Sequence, residues 1–218
     1  MEVSPNTKPE KEISLKTAII IILIVVVCVA GIGLGVGYAF FWNKYDNVTA
    51  VDLEMKTAQN FAAKQPKNPK AYIALGYQYL KRGQMDKALK EYEQAYKLDS
   101  KNIAVKFNLG ILYKEMKKNQ EAVKYLEEVV KENPFHFAAQ FNLAILYSQD
   151  KQYDKALKAY EQALRVNAGA ADVYLSRGEM YAAMGKKTEA LKDIDKTLSF
   201  VPDYAEALAA KKRITEQQ

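Results

Sequence analysis

Histidine and cysteine, two residue types that often serve in catalysis or metal binding, each occur once in this sequence, as His136 and Cys28. A catalytic site needs a nucleophile with a base or a pair of carboxylates, and a metal site needs several ligands held close together. His136 follows Pro134 in a short loop, and Cys28 lies within a long apolar run. One cysteine can form neither a disulfide framework nor a thiolate metal site. The sequence therefore predicts that the chain is not an enzyme and holds no metal or cofactor.

The charged residues indicate a solvated helical surface. The chain has 32 basic and 26 acidic residues, for a formal net charge of +6, and they are interspersed without long blocks of one sign. Carboxylates that lie among lysines in this way form pairs along the surface of a helix. No basic stripe with interleaved aromatic residues is present, so the sequence does not predict nucleic-acid binding.

Residues 18–42 contain no charged side chain and predict a transmembrane helix. The run exceeds the ~20 residues that span a bilayer, and as a helix it would be about 37 Å long, which allows for some tilt. Tyr38, Trp42 and Tyr45 would lie near one interface. The alternative is a cleavable signal peptide, but the apolar region of such a peptide is typically shorter.

Gly31, Gly33, Gly35 and Gly37 lie within this apolar run. They form two small-xxx-small pairs, which could let two membrane helices approach closely and form a homo-oligomer. Glycine is also frequent in membrane helices without such contact, so both interpretations stay open. A phosphate-binding loop is excluded, because no strand or lysine adjoins these glycines.

The lysines near the apolar run predict its orientation. Lys8, Lys11 and Lys16 lie in the short N-terminal tail, residues 1–17, against Lys44 and Lys56 after the run. Positive charges favour the cytoplasmic side. We therefore expect a single-pass membrane protein with a cytoplasmic N-terminus and an extracytoplasmic C-terminal domain.

Residues 43–68 are expected to form a connector helix. Val51, Met55, Ala58 and Ala62 fall at helical spacing, and Pro66 then interrupts the chain.

After the connector, three columns of residues recur with one constant period. The tyrosine column is Tyr79, Tyr113, Tyr147 and Tyr181; the alanine column is Ala88, Ala122, Ala156 and Ala190; the small-residue column is Gly76, Gly110, Ala144 and Gly178. A period of about 34 residues is typical of stacked helical hairpins, in which small residues let paired helices approach closely. We expect the tyrosines to fill the space between hairpins, and the stack to leave one face free for binding.

The columns resemble those of the tetratricopeptide repeat family, whose aromatic, Leu-Gly, Tyr, Ala, aromatic and Ala positions recur here in order. The sequence departs from that pattern at Lys106, Gln140, Leu126, Val129, Arg177 and Thr197. The resemblance implies an all-α fold in which the transmembrane helix precedes an α-solenoid of four hairpins, residues 69–102, 103–136, 137–170 and 171–204. A capping helix over 205–218 would follow, with Ala205, Leu208 and Ile214 on its packing side.

The turn inside each hairpin should follow the same plan. Gly83 and Gly185 stand where the first helix of a hairpin ends, and Lys117 and Lys151 replace glycine in the middle hairpins. If this position is left-handed, the two lysines are strained.

The resemblance also implies a partner-binding groove on the first helix of each hairpin. Its predicted residues are Ile73, Tyr77, Phe107, Asn108, Ile111, Phe141, Asn142, Ile145, Leu175 and Glu179. Most are apolar and would form an exposed strip, which usually marks a partner site. The amides of Asn108 and Asn142 can donate to and accept from a peptide backbone. Alternatively, the connector helix or another part of the chain fills the groove.

One branch of the family holds chaperone C-termini in a clamp of lysines and asparagines. That clamp is not evident here, since Ile73, Tyr77 and Ala138 occupy clamp positions. The predicted function is therefore a non-enzymatic, membrane-anchored scaffold that binds a peptide or helix of a partner protein in the assembly, maturation or quality control of a membrane-associated complex. The alternative is a structural oligomer, built by glycine contacts and repeat stacking without a peptide ligand.

Overall fold

The computed structural model describes residues 50–216, and every regular element in this range is a helix. The helices are α1 (Ala50–Lys64), α2 (Pro69–Lys81), α3 (Met85–Leu98), α4 (Ile103–Glu115), α5 (Asn119–Glu132), α6 (Phe137–Gln149), α7 (Tyr153–Val166), α8 (Ala171–Ala183), α9 (Lys187–Phe200) and α10 (Ala205–Glu216). The chain divides into two units at residues 54 and 55, and the second unit contains all of the helical hairpins.

Some predicted features lie outside the described residues. They are the N-terminal tail 1–17, the apolar run 18–42 with its glycines, residues 43–49 of the connector and residues 217–218. Among the helices between residues 50 and 216, none combines the length and the apolar character of a membrane span.

The helices recur along the chain with the same period as the residue columns of the sequence. The first helices α2, α4, α6, α8 and α10 begin at positions 69, 103, 137, 171 and 205, so each begins one repeat period after the one before it. The second helices α3, α5, α7 and α9 keep the same step. Helix α1 ends at Lys64, one repeat period before α3 ends at Leu98, so it has the register of a second helix. The described residues therefore begin with a second helix and end with a first helix.

The two helices of each hairpin pack closely where a small residue meets a large one. A Cβ atom added to Gly76 would lie 2.5 Å from the Tyr92 ring, and one added to Gly110 would lie 2.7 Å from Cγ of Leu126. At Gly178 the added atom would lie 3.1 Å from Cδ1 of Ile194. These distances confirm that the small-residue column permits the close approach: a Cβ atom at Gly76 or Gly110 would overlap the facing side chain, one at Gly178 would be tight, and Ala144 is the largest residue in the column.

The alanine column lies in the core of the hairpins, and the tyrosine column packs between neighbouring hairpins. All four residues of the alanine column are fully buried. Tyr79 and Tyr113 each pack against two neighbouring core clusters, and Tyr147 is itself buried in the central cluster. The Tyr113 ring also stacks on that of Tyr125, with centroids 5.6 Å apart. The expectation that these tyrosines fill the space between hairpins is therefore confirmed.

Two of the departures from the family pattern are charged residues whose side chains pair with a carboxylate. The Lys106 ammonium lies 2.6 Å from a carboxylate oxygen of Glu132 and 3.1 Å from one of Glu128. Arg177 donates two hydrogen bonds to Asp193, of 2.7 and 2.9 Å, and this bonding raises the pKa of the guanidinium. A buried charge is tolerated when it is paired and hydrogen-bonded in this way.

Two further departures are polar residues that bond to backbone carbonyls. Gln140 donates through Nε2 to the carbonyl of Pro134 at 2.9 Å. The hydroxyl of Thr197, which is fully buried, lies 3.1 Å from the carbonyl of Asp193 and 3.3 Å from that of Ala171. Both side chains therefore satisfy their hydrogen-bonding groups inside the stack.

Helix α10 closes the stack at its C-terminal end. Its buried side chains are Ala207, Ala210 and Ile214, which pack with Ile194 of the preceding hairpin. The sequence prediction of a packing side with Ala205, Leu208 and Ile214 is correct only for Ile214, since Leu208 is 48% exposed and Ala205 is also exposed. The spacing 207, 210 and 214 follows the helical turn more closely than 205, 208 and 214.

Helix α1 packs against the other end of the hairpin series. Its residues Met55, Ala58 and Ala62 are buried against Ala71 and Leu75 of α2. The connector residues that we predicted to lie on one helical side, from Met55 onward, therefore share a buried face.

The turns within the hairpins are left-handed at one residue. Gly83 and Gly185 have φ of 68° and 75°, and Lys117 and Lys151 have φ of 60° and 58° at the same position. The next residue in each turn donates its N–H to the carbonyl of the tyrosine column, which closes the helix end. The lysines are therefore strained, because a Cβ atom is disfavoured in this conformation.

We expect Lys117→Gly and Lys151→Gly each to raise the free energy of unfolding by about 0.5–1 kcal/mol, because glycine removes this strain. Urea denaturation followed by circular dichroism would measure the change. Lys118→Gly is the matched control, since Lys118 has φ of −91° and should gain nothing. Equal effects at Lys117 and Lys118 would contradict the role of the left-handed turn.

Candidate functional site

Three of the four pairs of successive first helices contact each other along one side of the hairpin stack. Helix α2 contacts α4, α6 contacts α8, and α8 contacts α10, whereas no two of the described second helices make comparable contact. The hairpins therefore converge on the first-helix side. We call this side the groove surface, and it is formed by the residues of α2, α4, α6 and α8 that we predicted to face a partner.

The two phenylalanines of the groove surface are less exposed than we expected. Phe107 and Phe141 are half-buried and pack against the central core cluster. The Phe107 ring lies 4.8 Å from that of His136, and the Phe141 ring lies 6.3 Å from that of Tyr160. Each phenylalanine therefore supports the stack and offers only one side of its ring to a partner.

Leu175 does not lie on an open surface. It is 8% exposed and belongs to the core cluster with Ile194, Ala207 and Ile214. Helix α10 packs beside α8, and its residues Ala207, Ala210 and Ile214 lie in the same cluster as Leu175. The prediction that Leu175 is exposed for binding was therefore wrong.

The other apolar groove residues remain accessible. Ile73, Ile111 and Ile145 are half-buried, and Tyr77 is 50% exposed. The Lys81 ammonium lies 5.9 Å from the centroid of the Tyr77 ring. The accessible apolar surface therefore runs from α2 to α6 and ends before α8.

Asn108 and Asn142 adopt the same conformation one repeat apart. Each donates through Nδ2 to the carbonyl four residues earlier, at 2.7 Å, to Ala104 and Ala138 respectively. The amide oxygen of Asn108 accepts from the Tyr92 hydroxyl at 3.4 Å, and that of Asn142 accepts from the Lys114 ammonium at 2.7 Å. An amide group has two N–H donors, so each asparagine keeps one donor for a partner.

The two central hairpins present the same side chains in the same order. Residues 107–113 read FNLGILY and residues 141–147 read FNLAILY. The groove surface of α4 therefore recurs on α6, with a phenylalanine, an asparagine and an isoleucine at matching places.

The lone histidine has a structural role in this arrangement. His136 accepts through Nδ1 from the N–H of Ala139 at 3.2 Å, and so caps α6. Asn68 and Asn102 cap α2 and α4 from the same repeat position. Within residues 50–216 no three potential metal ligands are grouped together.

The C-terminal end of the groove surface carries a hydrogen-bonded carboxylate that the sequence did not reveal. The Tyr204 hydroxyl donates to Asp172 at 2.6 Å. This bond, with some burial, raises the pKa of Tyr204 to about 12. Glu179 lies nearby on α8 and pairs with Arg213 of α10 at 3.4 Å. The only sequence signal for these contacts is the repeat register, which places α10 beside α8.

The clefts elsewhere on the stack do not coincide with the groove surface. A cleft of about 530 Å³ is lined by Gly83, Met85, Asp86 and Met116 at the turns between helices. None of these is a groove residue.

These features define an α-solenoid of helical hairpins with a partly apolar, asparagine-bearing side. Family models described as tetratricopeptide repeat match residues 57–90, 105–168 and 145–205, and one described as TPR repeat matches 76–117. The chain belongs to the tetratricopeptide repeat family. No curated protein sequence matches it.

Several solved structures share the fold at low sequence identity. MamA is 22% identical, with a TM-score of 0.63, over 72% of this chain and 98% of that one. YrrB, described as a TPR protein with an unusual peptide-binding site, is 23% identical with a TM-score of 0.65, over 78% and 88%. A tetratricopeptide repeat protein from Parabacteroides merdae is 24% identical with a TM-score of 0.67, over 79% and 69%.

We expect Tyr204→Phe to lower the free energy of unfolding by about 1 kcal/mol at pH 7, because it removes a hydrogen bond to a carboxylate. The raised pKa means that the folded protein holds the phenolic proton more tightly than the unfolded chain. The contribution is therefore complete below about pH 10 and is lost as the pH rises to about 12.

The difference in free energy between the wild-type protein and Tyr204→Phe, from urea denaturation, should accordingly shrink toward zero between pH 10 and pH 12. A difference that stays constant over this range would show that the phenol does not titrate as proposed.

Proposed function

We propose that the chain is a non-enzymatic scaffold whose groove surface binds a peptide or helix of a partner protein. The observation that carries the proposal is the duplicated surface of α4 and α6, where half-buried phenylalanine and isoleucine side chains lie beside an asparagine amide with a spare donor. Apolar contact would supply affinity, and the amides of Asn108 and Asn142 would hold a backbone in register. The peptide-binding description of YrrB supports the same use of this fold.

We further propose that residues 18–42 anchor this scaffold in a membrane as a single span. The support is the uncharged run itself, which is long enough to cross a bilayer. The lysines at positions 8, 11 and 16 favour a cytoplasmic N-terminus, with the repeat domain on the opposite side. A scaffold held in this way would keep its partner at the membrane during the assembly, maturation or quality control of a complex.

The groove proposal is tested by Tyr77→Ser together with Asn108→Ala and Asn142→Ala in the intact chain. Partners would be captured with the wild-type protein, identified, and titrated in purified form against both proteins. We expect the variant to weaken binding at least tenfold, because a half-exposed aromatic contact and two amide contacts are lost. These side chains are only partly buried, so the variant should still fold, and its melting temperature would verify this.

Phe135→Ser is the matched control, because Phe135 is 62% exposed and lies outside the groove surface. It should leave the affinity unchanged. If Phe135→Ser weakened binding of the partner as much as the groove variant does, the proposal would be contradicted. A chain that forms a stable oligomer of unchanged mass with every variant, and captures no partner, would instead favour a purely structural assembly.

The membrane proposal predicts that the intact chain resists extraction from membranes by alkaline carbonate, while a chain that begins at residue 43 is released. In sealed vesicles of known orientation, protease should remove the N-terminal tail from the cytoplasmic side and the repeat domain from the other. Carbonate extraction of the intact chain would contradict the anchor, and the reverse protease pattern would contradict only the orientation.

A further inference from the structure

Charged side chains of opposite sign lie at the two ends of the groove surface. The first turn of each first helix presents one residue at the same repeat position, and this position holds Lys70, Ala104, Ala138, Asp172 and Glu206 in order from α2 to α10. The two central residues are small and uncharged. The series therefore changes from basic to acidic along the stack, and the duplicated apolar surface of α4 and α6 lies between the charged ends.

Lys70 has no structural reason to be basic. It stands in the first turn of α2, where the helix dipole disfavours a positive charge. Its ammonium makes no ion pair or hydrogen bond within residues 50–216, and its side chain is exposed. Asp172 and Glu206 also lie in first turns, where the dipole favours an acid. The dipole thus accounts for the acidic end but opposes the basic one.

The other charges on this side leave the pattern intact. Lys81 lies over the Tyr77 ring and already interacts with its own chain, so its charge is not counted, and Lys114 in the middle is held by Asn142 and lies 3.7 Å from Glu115. Glu179 and Arg213 form a pair at the acidic end, so they contribute little net charge. Asp172 is fixed through one carboxylate oxygen by Tyr204, which leaves its other oxygen for a partner.

We propose that the partner segment has an acidic flank that lies at Lys70 and a basic flank that lies at Asp172 and Glu206, with apolar residues between them. This inference rests on the proposed function, and it specifies the chemistry of the partner. Successive first helices are about 10 Å apart, so α2 and α8 are separated by about 30 Å. An extended chain covers this distance in about nine residues, which sets the spacing of the two flanks.

The test uses three synthetic peptides with one common apolar centre of about nine residues. One carries an acidic flank, one a basic flank, and one has uncharged flanks. Each is labelled with a fluorophore and titrated by anisotropy against the intact chain in nanodiscs of zwitterionic lipid, with empty nanodiscs as the blank.

We expect Lys70→Glu to weaken the acidic-flank peptide about three- to tenfold at low salt and to leave the basic-flank peptide within about twofold. Asp172→Lys should do the reverse. Glu206→Lys is the second acidic-end variant, in case Asp172→Lys fails to fold without its bond to Tyr204. The effects should decrease as salt screens the exposed charges.

Lys90→Glu and Glu161→Lys are the matched controls, because they change the net charge equally on exposed positions of the second helices α3 and α7. They should leave all three affinities unchanged. If Lys70→Glu strengthens the basic-flank peptide as much as it weakens the acidic one, or if Lys90→Glu acts like Lys70→Glu, the charges act only through the net charge and the inference is overturned.

The two proposals fail in different ways. Binding of all three peptides with no dependence on Lys70, Asp172 or Glu206 would overturn the charge assignment and leave the groove proposal standing. Binding of none of them would count against both. If a second copy of the chain occupied the groove, light scattering would show a doubled mass, and Tyr77→Ser would reduce that mass. This result would contradict the proposal that a partner segment binds in the groove.

Discussion

The close contact between the two helices of each hairpin is the constraint on which the rest of the structure depends. Gly76 and Gly110 admit side chains from the facing helix to distances that a Cβ atom would not allow, and Gly178 admits one to a distance at which a Cβ atom would be tight. This contact brings the backbones together, so the alanine column is fully buried and the tyrosines are left to join one hairpin to the next. Since each hairpin repeats the same packing, side chains one repeat period apart form rows across the surface.

The polar residues within the stack show how this constraint tolerates variation. Lys106 and Arg177 each meet a carboxylate on a second helix, and Gln140 and Thr197 bond to carbonyl groups of the backbone. Each of these residues keeps its place in the repeat, and its polar group is paired or hydrogen-bonded within the stack. The family pattern is therefore one solution for these positions, and a paired polar group is another.

The sequence was sufficient for the repeat fold because its signals are local and recur in every hairpin. The glycines at a fixed spacing predict the close contact between the two helices of a hairpin, and the tyrosines predict the packing between neighbouring hairpins. Gly83 and Gly185 predict the left-handed turn. What escaped prediction depends on contacts between distant residues. The cover over Leu175 comes from α10, and Asp172 meets Tyr204 from 32 residues away. Helix α1 was not assigned to the register, because Ala58 stands where the tyrosine of α3 would be expected.

Helix α10 differs from the other first helices, and this difference determines the end at which the stack begins to unfold. Lys212 occupies the place of the small-residue column on α10, and within residues 50–216 this helix packs on its preceding hairpin alone. The hairpins of α4 and α6, by contrast, have neighbours on both sides. In a stack held by contacts between neighbours, opening begins at an end that has one neighbour and proceeds inward. Backbone amides in α10 should therefore exchange with solvent through small openings, while those beneath the duplicated surface exchange only when most of the stack has come apart.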